Sequence, residues 1–105
     1  MSVQNITDTD FTTLLAEKDK VMVKYYADWC GSCKLIAPKY RRLSEDERFK
    51  GVEFWEVNAE VNENARKLAG VDNLPFFAVF KDGEIVEGTP TSKVEKVEEL
   101  LNKLN

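Results

Sequence analysis

Apolar and polar positions alternate along the chain in two distinct periods, and the switches between them outline the elements. Residues 21–27, VMVKYYA, are apolar at consecutive positions except Lys24, the pattern of a central strand covered on both faces. Residues 51–58, GVEFWEVN, and 75–80, PFFAVF, predict two more strands. A short first strand is expected at residues 3–6. Helical spacing takes over elsewhere. Phe11, Leu14 and Leu15 predict a helix over 8–17 with Thr7 and Asp8 as capping candidates. Ile36, Tyr40 and Leu43 mark one face of a helix from about 31 to 48. Pro38 interrupts that helix and predicts a kink near Lys34, because proline lacks the N–H that would bond back one turn.

A short helix ends at Gly70, and Asp82-Gly83 reads as a tight hairpin turn into EIVEG. Ser92 and Glu95 have the spacing of a capping box before a last helix. Its apolar face is Val94, Val97, Leu100, Leu101 and Leu104. Strands alternate with helices and close on a hairpin, which predicts an α/β domain whose mixed sheet carries helices on both faces.

Composition narrows the chemistry. The chain has 105 residues, 43% of them hydrophobic, enough for one core and a single domain over 1–105. Its net charge of -4, with no long run of like charge, leaves no footprint for nucleic acid or an anionic membrane. No stretch is long and apolar enough to span a bilayer, and the first residues lack the pattern of a signal peptide. A cytoplasmic monomer is expected. The sequence contains no histidine, so no Ser-His or Cys-His nucleophile pair and no imidazole-bound zinc is available. No cofactor or metal is expected.

The two cysteines fall in WCGSCK, residues 29–34. A Cys-x-x-Cys pair serves as a redox dithiol, as half of a zinc site, or as a small disulfide. Two thiols fill only half of a structural zinc shell, and closing so short a loop removes little chain entropy, so the redox reading is favoured. Placed at a strand–helix junction, Cys30 meets the unpaired N–H groups and the dipole of the helix start, which favour its thiolate and make it the nucleophile. Cys33, one turn in and expected to be less exposed, is placed to resolve the mixed disulfide.

The stretches ADWCGSCKLIAP and NLPFFAVFKDGE, with the final helix, resemble the thioredoxin family over almost the whole chain. The resemblance implies a thioredoxin fold with a central mixed sheet of four to five strands. It also implies a thiol-disulfide oxidoreductase that reduces protein disulfides and is recharged by thioredoxin reductase. In that family the Leu74-Pro75 bond is cis, faces the dithiol and lets backbone near Leu74 pair with substrate. Trp29 is expected to wall the same groove, with Gly31, Ser32 and Thr91 along it.

Four positions depart from the family pattern. Ser32 replaces a proline and is expected to shift the potential towards oxidising by on the order of 30 mV or less. Lys24 occupies the place of a buried aspartate, and Glu56 the place of the lysine that partners it. Placed against that pattern, a reversed Lys24–Glu56 pair beneath the active site is expected, with Glu56 relaying the proton of Cys33; the alternative is a Lys24 amine that bends out to solvent and plays no part. If that pair is buried, removing Glu56 costs roughly 3–5 kcal/mol. Thr91 and Phe76 replace smaller residues and are expected to add bulk at the groove. Two other readings compete with a general reductase. One is a thioredoxin-like oxidase or isomerase; the other is a non-catalytic binding module that uses the groove alone.

Overall fold

The computed structural model of the protein describes residues 3–105. Strands β1 (Gln4–Asn5), β2 (Lys20–Tyr26), β3 (Glu53–Asn58), β4 (Phe76–Lys81) and β5 (Glu84–Pro90) form one sheet in the order β1-β3-β2-β4-β5. β3 runs parallel to β1 and β2, whereas β4 is antiparallel to β2 and β5, so the sheet is mixed as expected. The apolar run of residues 21–27 is explained by its place: β2 is the middle strand.

Because successive strand residues point to opposite faces, β2 divides its side chains between two cores. Val21, Val23 and Tyr25 join Trp55, Phe80, α1 (Phe11–Glu17) and α3 (Glu63–Ala69). Met22 joins Phe54, Phe77, α2 (Gly31–Ser44) and α4 (Val94–Asn102) on the other face. The predicted stripe is in place, with Val97, Leu100 and Leu101 of α4 and Leu104 just beyond it buried, and Val94 partly buried against them. Each such side chain contributes roughly 1.5–3 kcal/mol on burial, which holds α4 far more firmly than its propensity could.

Several local expectations change. Asp8 does not cap α1. Its carboxylate accepts the N–H groups of Asn64 and Ala65 at 3.0 and 2.9 Å, so it caps α3 instead. The Ser92–Glu95 box does not form. Lys93 is the N-cap of α4, without a side-chain cap, and the Thr91 hydroxyl accepts the Lys93 N–H at 3.1 Å. The second helix stops at Ser44 rather than near 48. There the Asp46 carboxylate accepts the Arg48 N–H at 2.9 Å and starts a separate 3-10 turn, Glu47–Phe49. A short acidic side chain that can bond its own backbone competes with helix continuation in this way. Pro38 is accommodated inside α2.

The remaining punctuation follows the sequence. Gly70 ends α3 in the left-handed region at φ 68°. Asp82 and Gly83 both have positive φ, 52° and 86°, as a two-residue turn between right-twisted strands requires.

Candidate active site

The site grows from the C-terminal end of β2. After Tyr26 the chain turns through Ala27, Asp28 and Trp29, with the Cys30 N–H donating to the Ala27 carbonyl at 3.1 Å. Cys30 is the N-cap of α2. Its backbone is extended, and its Sγ accepts the Cys33 N–H at 3.1 Å. The sulfur therefore occupies the position where a helix start stabilises negative charge.

Cys30 and Cys33 form a disulfide with their Cα atoms 5.3 Å apart. In this oxidised form the two residues are almost equally buried, at 5% and 3% exposure. The difference in accessibility has the expected sign but is small; the N-cap position of Cys30 is what distinguishes them. Gly31 has open space where a Cβ would stand, and Ser32 follows it in the first turn.

Trp29 is 68% exposed, and its indole N–H donates to the Glu60 carboxylate. The ring thus stands beside Cys30 as a held surface. A cavity of about 280 Å³ lies against it, lined by Trp29, Glu60, Arg66, Asn73 and Leu74. A second cavity of about 220 Å³ is lined by Ser32, Asn73, Leu74, Pro75 and Thr91. The two share Asn73 and Leu74, and together they make a groove past the Leu74-Pro75 bond, which is cis.

The Leu74 N–H already bonds the Asn73 side-chain oxygen at 2.9 Å, so a substrate strand using that donor must displace it. Thr91 closes the groove's far side, its N–H on the Pro75 carbonyl at 3.1 Å. Phe76 does not crowd the groove: it is buried in the core, its ring edge-on to Tyr25 at 6.1 Å.

Behind Cys33 lies a third cavity, of about 230 Å³, lined by Lys24, Tyr26, Asp28, Cys33, Lys34 and Glu56. Lys24 and Glu56 are register partners across β2 and β3, and Nζ stands 3.4 Å from Oε1. The lysine side chain is 5% exposed and the glutamate 31%. Burial holds the Lys24 ammonium below its ordinary value; the Glu56 carboxylate opposes that, and Arg41 adds to it. Asn5 donates to the Tyr26 hydroxyl at 2.9 Å and to Glu56 at 3.4 Å, which ties the rim of this cavity to β1.

Residues 2–105 match the thioredoxin family model. The chain belongs to the thioredoxin family. It is 33% identical to thioredoxin of Bacillus subtilis over 104 residues, covering 98% of each chain. It is 35% identical to Thioredoxin-T of Drosophila melanogaster over 101 residues, covering 96% of this chain but 64% of that protein. The chain thus spans less than two thirds of some of the relatives it matches. Among solved structures, a chain from a complex of ferredoxin:thioredoxin reductase and thioredoxin f2 superposes with a TM-score of 0.86 at 27% identity. The match covers 97% of this chain and 94% of that one.

Within this thioredoxin fold the site contains groups that sequence reasoning did not single out. Glu60, Asn73, Tyr26 and Asn5 contact site residues, and Asn62 joins Asp8, the capping candidate of the sequence, in anchoring α3. Glu60 lies 31 residues from Trp29 and Asp8 lies 57 from Ala65, separations at which no local pattern announces a contact. Among the described residues no cluster of metal-ligating side chains occurs, and no helix is long and apolar enough to cross a membrane.

Proposed function

We propose that this thioredoxin is a protein-disulfide reductase in which Cys30 is the nucleophile and Cys33 the resolving thiol. The observation that carries this reading is the Cys30 sulfur at the start of α2, accepting the Cys33 N–H, with Cys33 close enough to form the disulfide. In the forward direction the Cys30 thiolate attacks one sulfur of a substrate disulfide. The other sulfur leaves with the electron pair, and a Cys30–substrate mixed disulfide forms. The Cys33 thiolate then attacks the Cys30 sulfur, the substrate's second sulfur leaves, and both substrate sulfurs take protons from solvent. Two electrons pass from the dithiol to the substrate.

The groove past Trp29, Leu74, Pro75 and Thr91 suits an extended substrate segment, with the indole as an amphipathic wall. Lys24 and Glu56, on the cavity behind Cys33, serve the second step. The spent disulfide needs a two-electron donor. A thioredoxin reductase fits that role, and the structural likeness to a chain from a complex with ferredoxin:thioredoxin reductase supports it.

The test is reduction of insulin disulfides with dithiothreitol as electron source. The native protein is expected to accelerate precipitation of the freed chains, and Cys30→Ser to abolish the acceleration. No acceleration by the native protein would remove the reductase reading and favour a binding role for the groove.

A further inference from the structure

Cys33 must become a thiolate to resolve the mixed disulfide, yet it is 97% buried by residue area, its exposure being 3%. Burial among apolar groups raises a thiol's pKa and leaves less of the reactive form. Some neighbouring group has to offset that. The cavity behind Cys33 brings four charged side chains to it: Lys24 of β2, Glu56 of β3, Asp28 of the turn and Lys34 of α2.

These four are unequal. Asp28 and Lys34 lie on exposed residues, and the Glu56 side chain keeps 31% of its surface in water, so solvent screens their fields. The Lys24 side chain keeps only 5%. A charge in so dry a position acts through a low effective dielectric, and its field reaches the cavity with little loss.

The ammonium is also held in place. Glu56 Oε1 lies 3.4 Å from Nζ, and the ring centroids of Tyr40 and Tyr26 lie 5.5 and 5.7 Å from it, distances that suit cation–π attraction. Arg41 of α2 is the other cation that acts on this lysine, and it opposes the charge that Glu56 supports.

We propose that the Lys24 ammonium is a positioning group for the resolving step: across their shared cavity it stabilises the Cys33 thiolate, while Glu56 anchors it and keeps it charged. This deepens the dithiol reading above and rests on it. Cys33 releases its proton to water in the cavity, and the thiolate attacks Cys30 Sγ. As the new Cys30–Cys33 bond forms, the Cys30–substrate bond breaks, and its electron pair departs on the substrate sulfur, which solvent protonates. Glu56 takes no proton from Cys33 in this scheme.

The reduced protein can be followed in a stopped-flow instrument with an aromatic disulfide, dithiobis(nitrobenzoate). The first thionitrobenzoate reports attack by Cys30 and the second reports resolution by Cys33. Profiles between about pH 5 and 10 would be compared for the native protein, Lys24→Met, Lys24→Arg and Glu56→Gln. In Lys24→Met the inflection of the second phase is expected to rise by about one unit or more, slowing that phase about tenfold below the inflection. The first phase should change much less, and Lys24→Arg should restore most of the rate.

A second phase in Lys24→Met that overlays the native profile would overturn the proposal. So would a second phase abolished by Glu56→Gln but intact in Lys24→Met, which would make Glu56 the base. If the native protein showed no second release, the dithiol reading itself would fail. Should Lys24→Met not fold, nuclear magnetic resonance of the reduced native protein decides between the alternatives. A shared inflection in Lys24 ¹⁵Nζ and Cys33 ¹³Cβ is expected, and a Lys24 amine already neutral where Cys33 titrates would overturn the idea.

Discussion

The Asp8 carboxylate accepts the N–H groups of Asn64 and Ala65, and the Asp8 N–H in turn donates to the Asn62 side-chain oxygen at 2.8 Å. Asn62 is itself buried and donates to the Asn58 carbonyl at 2.9 Å. These bonds fix the start of α3 to the segment before α1 and to the end of β3. Losing this cap is expected to destabilise Asp8→Ala by about 1–2 kcal/mol in urea unfolding, with Asp8→Asn nearer the native value. A loss below about 0.3 kcal/mol would show that the remote cap contributes nothing.

The Lys24–Glu56 pair sets a second expectation, for stability rather than rate. Glu56 is partly hydrated, so removing it should cost less than breaking a fully buried pair: about 2 kcal/mol for Glu56→Ala near pH 7. The pH dependence has a definite sign. Burial lowers the Lys24 value in the folded state, so the unfolded chain binds this proton more readily. The penalty is complete below the folded value and is relieved as pH rises through it towards 10.5, the ordinary lysine value. The deficit of Glu56→Ala should therefore shrink in alkaline urea titrations, and a constant deficit would contradict an ammonium-based origin.

Two buried phenols predict the opposite slope. The Tyr40 hydroxyl lies 3.0 and 2.9 Å from the Met22 and Trp55 carbonyls, and the Tyr25 hydroxyl donates to the Ala65 carbonyl at 2.9 Å. Burial raises both above the ordinary value of 10.0. The folded chain keeps these protons while the unfolded chain releases them, so their contribution is complete below pH 10 and is lost as pH climbs towards the folded values. Each should subtract about 1.4 kcal/mol per pH unit. Measured about one unit or more above 10.5, where Lys24 has lost most of its charge in both states, Tyr40→Phe should halve that slope. It should also lower neutral-pH stability by about 1 kcal/mol.

Gly88 of β5 connects the sheet to the groove. A Cβ there would lie 2.8 and 3.0 Å from the Phe76 ring, which is 4% exposed and follows Pro75 directly. Gly88→Ala is expected to cost about 1–3 kcal/mol by overpacking. Because Phe76 adjoins Pro75, the variant should also raise KM for insulin reduction, whereas an unchanged KM with lowered stability would confine the damage to the core.

Local periodicity carried most of the architecture. The stripe from Val97 to Leu104, the run through Val21 and Tyr25 and the Asp82-Gly83 turn each depend on neighbours within a few residues, and each is where its pattern placed it. Contacts made between distant segments were harder to read. Asp8 has the chemistry of a cap wherever it points, and only the packing of α3 beside it decides which helix it serves. Ser92 and Glu95 have the right spacing, but Lys93 takes the N-cap position. Lys24 and Glu56 face one another because β2 and β3 pair in a particular parallel register, which a resemblance can suggest and periodicity cannot. Their wet and dry ends, like the Glu60 anchor of Trp29, emerge only once the layers are stacked.

The two tryptophans live in opposite surroundings. Trp29 stands in water next to the disulfide with its indole tied to Glu60, whereas Trp55 is fully enclosed and meets Phe11 edge-on at 5.7 Å. A disulfide drains the excited state of a neighbouring indole, so the red-edge emission of Trp29 should brighten when the dithiol opens. The blue emission of Trp55 should stay constant until the sheet comes apart. The protein thereby carries two separate optical gauges, one for the charge state of its electron store and one for the integrity of its frame.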